Sequence, residues 1–415
     1  MAGSMSAQDK LALIYENLHE KLKEEIIEDV IIRQDRSLKI YWGTATTGRP
    51  HCGYFVPMVK LAHFLRAGCT IKILLADMHA FLDNLKAPIE LVKYRAEYYR
   101  FVITSLLKSL NVPIDRLEVV LGSSYQLSAE YTMDLYRLCS VVSEHDAKKA
   151  GAEVVKQVAN PLLSGLIYPL MQTLDEQYLD VDAQFGGVDQ RKIFTLATET
   201  LPKINYKERA HLMNPMVPGL SGGKMSASDP DSKIDLLDPA AVVEKKLKKA
   251  HCAPKEVEGN GMISFVEFVL LSVDALKNGG RGRFVVERRK PEDGEPLVYE
   301  DIATLKEDYE ADKLTPQLLK PAIIKAVVNL LQPLQEEYQA SAEWQEIANK
   351  AYPPPETKKK EKKVKDRGTK FPGSKGVVEA KPDGHVEGEA KDQVNLGTGA
   401  AEAMENLDIH KKALP

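Results

Sequence analysis

Cysteine is scarce. Cys52, Cys69, Cys139 and Cys252 are the four in 415 residues. No two form a C-x-x-C pair, which argues against a zinc ribbon and against a disulfide framework. Free thiols in a reducing compartment fit this usage. Long apolar runs are also missing, so no segment reads as a membrane span. The opening "MAGSMSAQDK" has no apolar core of a signal peptide, and the first arginine is Arg33. Neither a secretory nor a mitochondrial address is expected, and the default is a soluble cytosolic chain. A basic excess is absent too: 56 Lys and Arg face 60 Asp and Glu, a net charge of −4. A polyanionic partner must then be met by local patches. No internal repeat is visible. What is present is apolar content, 44% of the chain, enough for two or three domains at this length.

Residues 6–33 repeat apolar positions at helical spacing: Leu11, Ile14, Leu18, Leu22, Ile26 and Val30. The period then changes. "LKIYWG" (38–43), "TIKILLAD" (70–77), "LEVVLG" (117–122), "VDAQFGG" (181–187) and "RAHLMNP" (209–215) read as five buried strands. Helical stretches at 54–68 and 88–110 alternate with them. This is the pattern of a parallel sheet covered on both faces, whose ligands bind beyond the C-terminal strand ends. From Pro239 to Tyr352 the pattern is mostly helical, with an irregular, strand-bearing part at 282–302. We divide the chain into an N-terminal helical extension (1–35), a Rossmann-type α/β domain (36–235), a mostly α-helical domain (236–352) and a tail (353–415). Residues 358–375 hold nine Lys or Arg against two acids, and the tail is expected to be disordered.

Four motifs fall at the rim of this sheet. "GRPHCGYF" (48–55) puts His51 and Gly53 at a helix start, where free N–H groups favour an anion; alone it is also an ordinary turn. "PGLSGGKMSASDP" (218–230) has nothing to pack a core. Lys224, Ser226 and Ser228 supply one charge and two hydroxyls on a glycine-rich loop able to close over a ligand, or they form a surface linker. In "LIYPLMQTLDEQYL" (166–179), Tyr168, Gln172 and Asp175 share one helix face. The stripe is either solvated or built for a ligand the size of an amino acid, and Pro169 is expected to kink or restart the helix. "QFGGVDQRKIF" (184–194) offers Asp189 and Gln190 at a strand end, suited to ribose hydroxyls or to a helix cap.

Together these motifs resemble the class I aminoacyl-tRNA synthetases. His51–Cys52–Gly53–Tyr54 is similar to their HIGH signature and Lys224–Ser228 to KMSKS. "LKIYWGTATTGRPH", "VLGSSYQLSAEYT", "KKAGAEVVKQV" and "VDAQFGGVDQRK" resemble the tyrosyl enzymes of the eukaryotic and archaeal kind. The resemblance spans roughly residues 10–350. It implies tyrosine–tRNA ligation through tyrosyl-adenylate, with ATP and Mg²⁺ carried on the phosphates, in a cytoplasmic homodimer. It implies that Tyr41 and Asp175 bind the substrate phenol, with Tyr168, Gln172, Gln190 and His79 around the rest of the amino acid. Gly43, Thr44, His51, Gly53, Asp189 and Met225 would meet ATP. His51, Lys224, Ser226 and Ser228 would stabilise charge on the leaving pyrophosphate, with no nucleophilic side chain and no protein metal cage. Lys148, Lys149, Pro316 and Lys320 would meet tRNA(Tyr).

The chain departs from the family at several places. Ala227 stands where bacterial signatures carry a second lysine, which suggests that a monovalent cation or other donors substitute. Tyr54 replaces the last His of HIGH. Thr315 and Leu318 stand where His and Asp are common in the helical domain. "EKKLKK" (244–249) is similar to a stretch that relatives use as a nuclear address. The rival readings are a tryptophanyl enzyme and a non-catalytic RNA-binding paralogue.

Overall fold

A computed structural model describes residues 5–83, 88–155, 162–219, 233–279, 281–288 and 294–354. All five strands read from the sequence are present, as β2 Lys39–Ala45, β3 Thr70–Ala76, β4 Leu117–Leu121, β5 Ala183–Gly187 and β6 Ala210–Asn214. They run parallel. A sixth strand, β1 Glu20–Leu22, pairs antiparallel with β6 at one edge, giving the order β1-β6-β5-β2-β3-β4. The chain passes from β2 outward to β3 and later returns to place β5 on the other side of β2. The strand order therefore reverses between β2 and β5, where a doubly wound sheet opens a crevice at its C-terminal edge. Ile40, Tyr41 and Trp42 are consecutive and all buried, as helices on both faces require.

The N-terminal extension differs from its periodicity. A helix at Ala7–Tyr15 stops near Asn17, and β1 follows. A second helical stretch, Glu24–Glu28, then runs on through a wider turn at Asp29–Arg33. Asn17 (φ 56°) and Lys23 (φ 58°) take left-handed conformations that interrupt a helix. Between them, His19 N–H donates to Met213 O at 2.8 Å, and Glu20, Lys21 and Leu22 pair with Met213, Leu212 and His211. The backbone partner that wins these residues from a helix lies some 190 positions away in sequence, invisible to a local period. Pro169 does not restart its helix. One helix runs Leu163–Tyr178 with Pro169 inside it.

The chain up to Pro353 forms one compact unit, and Pro354–Pro415 fall to a second. Except for Pro354, that second unit lies outside the described residues, as does the expectation of a disordered tail. Beyond the sheet come helices at Ala240–Lys249, Leu271–Asn278, Ile302–Glu310, Pro316–Ala340 and Ala342–Ala351, and a hairpin of β7 Phe284–Val286 with β8 Leu297–Tyr299. The last helix lies along Ile89–Ser109. Trp344, fully buried, stacks on Phe101 with ring centroids 5.5 Å apart, and Lys108 bonds Glu337 at 2.8 Å. Burying an aromatic of this size is worth about 3–5 kcal/mol against alanine, so the helical part is fastened to the sheet's own covering helix.

Candidate active site

The C-terminal half of β2 carries Tyr41, Trp42, Gly43 and Thr44 to the edge of the crevice. The Leu163–Tyr178 helix faces it with Tyr168, Gln172 and Asp175. His79 comes from the short helix Asp77–Leu82, His51 and Gly53 from the turn after β2, and Gln190 from the turn after β5. All of these line one cavity of about 350 Å³. A second, of about 230 Å³, shares Trp42, His51 and Gly53 with it and continues along Gly186–Asp189 and Asn214–Val217. Two adjoining chambers with a common wall can hold two ligands whose reacting ends meet at His51 and Gly53. Lys224, Met225, Ser226 and Ser228 lie outside the described residues.

The deep end of the first chamber is built around Asp175, which is fully buried. Its Oδ1 accepts from Tyr125 Oη at 2.8 Å, Gln126 Nε2 at 2.8 Å and Tyr131 Oη at 3.0 Å. Its Oδ2 has no hydrogen-bond partner; His79 Nε2 is 3.8 Å away. Burial raises the carboxyl to about 7, against the three donors that lower it. Tyr41, also fully buried, donates its hydroxyl to the Gln172 carbonyl at 3.2 Å. Burial first and the Asp175 charge second push that phenol far up, so it stays a donor at neutral pH. Gln172 Nε2 donates to Gln190 Oε1 at 2.7 Å. Tyr168 meets His79 edge to face, centroids 4.7 Å apart.

At the shared wall, His51 Nδ1 accepts from the Gly53 N–H at 3.2 Å. Burial, with help from Lys233, lowers the imidazole to about 4. It is therefore neutral at physiological pH, with its proton on Nε2, a hydrogen-bond donor rather than a cation. Tyr54, at the place of the missing histidine, ties its hydroxyl to Thr44 Oγ1 at 2.9 Å. A Cβ on Gly186 would lie 2.7 Å from Gln190 Oε1 and 2.9 Å from the Phe194 ring, so a larger residue there forces those side chains to shift. Asp189 lines the second chamber.

The four residues expected to meet tRNA lie away from these chambers. Lys148 and Lys149 are exposed in the last turn of Glu144–Ala150. Pro316 is the buried first residue of its helix. Lys320 donates to the carbonyls of Lys248 (3.0 Å) and Ala250 (2.7 Å), closing the end of Ala240–Lys249.

Sequence reasoning missed Tyr125, Gln126 and Tyr131 as site residues, along with Trp42, Asp83 and Gln184. The first three lie inside "SSYQLSAEY" (123–131), a stretch that carries the family likeness. Two phenols and an amide spaced so closely, opposite a buried acid, were the available signal.

A family model for tRNA synthetases class I (W and Y) matches residues 33–332. The cytoplasmic tyrosine–tRNA ligase of Saccharomyces cerevisiae is 56% identical over 378 residues, 90% of this chain and 95% of the relative. That of Danio rerio is 53% identical over 359 residues, 86% of this chain and 66% of the longer relative. The crystal structure of the tyrosyl-tRNA synthetase of Archaeoglobus fulgidus, complexed with L-tyrosine, superposes with a TM-score of 0.72 at 34% identity. It covers 80% of this chain and 99% of that one.

Proposed function

The chain belongs to the class I tRNA synthetases of the tryptophan and tyrosine group, and from that premise we propose that it is a tyrosine–tRNA ligase. It joins L-tyrosine to ATP, giving tyrosyl-adenylate and pyrophosphate, and then passes tyrosine to the 3′ end of its tRNA. One observation carries the choice of amino acid. A fully buried carboxylate oxygen, Asp175 Oδ2, stands without a partner in the chamber that also holds Tyr41. A phenol hydroxyl supplies the missing donor. An indole has no hydroxyl at that depth: its one donor is the ring N–H, placed on the side of the ring and not at its far end, which is the argument against the tryptophanyl reading.

The substrate carboxylate is itself the nucleophile, attacking the α-phosphorus while pyrophosphate departs. The protein's part is orientation and stabilisation of charge on the leaving group. Tyr168, Gln172 and Gln190 position the amino acid, and His79 packs beside Tyr168. Neutral His51 donates from Nε2 to a phosphate oxygen, Gly53 lets the nucleotide approach the backbone, and Gly43, Thr44 and Asp189 border the nucleotide. Lys224, Met225, Ser226 and Ser228 enter on sequence resemblance alone. Mg²⁺ rides on the phosphates. Ala227 removes one positive charge near pyrophosphate, and a monovalent cation or other donors such as Ser226 and Ser228 would substitute for it. Ala227→Lys should therefore blunt any K⁺ dependence of adenylate formation; unchanged K⁺ sensitivity would refute that part.

Lys148, Lys149, Pro316 and Lys320 form our candidate tRNA contacts. We infer a homodimer from the family resemblance; the exposed apolar residues Leu127, Met133, Tyr136, Leu162 and Leu163 are candidates for its interface. Among the described residues no helix is long and apolar enough to cross a membrane. We place the enzyme in the cytoplasm with a minor nuclear pool addressed by residues 244–249. The test is ATP–pyrophosphate exchange with tyrosine, tryptophan and phenylalanine, with and without tRNA. Exchange with tyrosine alone is expected. Exchange with tryptophan instead, or none with any amino acid, overturns the proposal, and the second outcome favours a non-catalytic RNA-binding role.

A further inference from the structure

Asp175 takes three hydrogen bonds on one oxygen and none on the other. All three groups on Oδ1 donate, so no proton can sit there. A proton, or a substrate hydroxyl, has only Oδ2 to go to. We propose that Tyr125, Gln126 and Tyr131 are positioning residues that determine specificity. By saturating Oδ1 they favour the ionised form of Asp175 against its burial and leave a single oxygen open to the substrate hydroxyl. This rests on the tyrosine reading above.

The surroundings make the three donors decisive. Facing the carboxylate are Tyr41 from β2, His79 from Asp77–Leu82, Tyr125 and Gln126 from the turn after β4, and Tyr131 from Ala129–Cys139. Tyr168 faces it from its own helix, and the Glu176 charge acts on it from the other side of that helix. None of these is a cation at neutral pH, since burial lowers His79 to about 4. With no positive charge among them, these fixed dipoles are what opposes the burial that raises the carboxyl to about 7. The donors are themselves braced. The ring of Tyr178 packs edge to face on Tyr131 at 4.8 Å and stacks on Tyr125 at 6.3 Å, contacts a phenylalanine keeps, whereas its hydroxyl bonds Asp134 at 2.8 Å and not Asp175. Asp77 Oδ1 accepts from Ser123 N–H at 2.8 Å, which fixes the turn carrying Gln126. A Cβ at Gly122 would come within 2.6 Å of Gln126 Oε1, so a larger residue there displaces the amide from its seat.

The experiment compares Tyr131→Phe with Tyr178→Phe in the full chain. Each removes one hydroxyl from the same aromatic cluster, the first from Asp175 and the second from Asp134. Tyrosine- and phenylalanine-dependent exchange are followed down the acidic limb of the pH profile. In Tyr131→Phe the KM for tyrosine should rise about tenfold, with kcat at saturation less affected. The tyrosine-to-phenylalanine ratio should fall in step. The acidic limb should move to higher pH, because a donor to the charged form has gone. Tyr178→Phe should keep the wild-type limb and ratio. Gln126→Met gives the same readout should Tyr131→Phe not fold. If Tyr131→Phe and Gln126→Met both match Tyr178→Phe, the proposal is overturned. If the wild type fails to exchange with tyrosine, the functional reading falls first, and the two failures are told apart.

Discussion

Asp175 and Glu176 are consecutive acids on one helix, both fully buried, and the two faces of that helix use them in opposite ways. Asp175 looks into the 350 Å³ chamber and is held only by neutral donors. Glu176 looks into the sheet, where its Oε1 lies 2.7 Å from Nε2 of His211 on β6, and His211 stacks on Phe194. Each keeps one oxygen without a hydrogen bond. The difference is what lies beyond that oxygen: a cavity in one case, packed protein in the other. A buried acid given a partner by the fold ties elements together. One given dipoles and open space waits for a ligand.

The strongest way to break this contrast is Asp175→Ala. A site built to bond a hydroxyl rejects the analogue lacking it by about 10⁴–10⁵, a figure for which the tyrosyl-tRNA synthetases are themselves the reference case. Exchange kinetics should show that preference for tyrosine over phenylalanine lost, with most activity gone and a cooperative unfolding transition retained. Normal selectivity in this variant would refute the pocket. Glu176→Ala should do the reverse. It leaves a ring nitrogen of the fully buried His211 without its partner, a loss of about 3 kcal/mol, to be read from urea denaturation. The KM for tyrosine should barely move.

The pH dependence sharpens the contrast further. Asp175 sits near 7 and must be ionised to accept the phenol. Exchange in the tyrosine-limited regime should fall about tenfold for each pH unit below that. Stability follows the opposite sign. A folded-state value raised above the ordinary carboxylate range means a contribution fully present below that range and lost as pH rises through about 7. Asp175→Asn should remove both dependences together. An acidic limb that survives in Asp175→Asn would assign it to another group.

Much of this was legible beforehand, for physical reasons. Ile40–Trp42 and Ile73–Leu75 are apolar on both faces, and such runs declare a covered parallel sheet without any partner in view. Tyr168, Gln172 and Asp175 were legible as a set because helical spacing alone puts them on one face. β1 was not, because its only reason to be a strand is the free edge of β6. Nor was the cage of Tyr125, Gln126 and Tyr131. Its residues look like any polar loop until the fold brings Asp175 within 3.0 Å. Pro169, expected to kink or restart its helix, does not restart it. A proline costs a helix most when its neighbours have no tertiary support, and here Leu170, Met171 and Leu174 bury the segment.

The smallest effect concerns Lys320, on which the sequence and the coordinates pull apart. By resemblance it belongs to the tRNA surface. In the fold its ammonium spends two hydrogen bonds on carbonyls at the end of Ala240–Lys249, where a helix leaves such groups unsatisfied. Lys320→Met keeps the stem and removes the donors. If capping is its work, the variant loses about 1 kcal/mol of stability and keeps its KM for tRNA. If tRNA contact dominates, the salt dependence of tRNA binding becomes shallower by about one counterion while unfolding is unchanged. Tyrosine-dependent exchange stays at the wild-type rate in either case, because neither role reaches the chamber around Asp175. That separates a residue serving the helical part from the two acids serving the helix at the crevice.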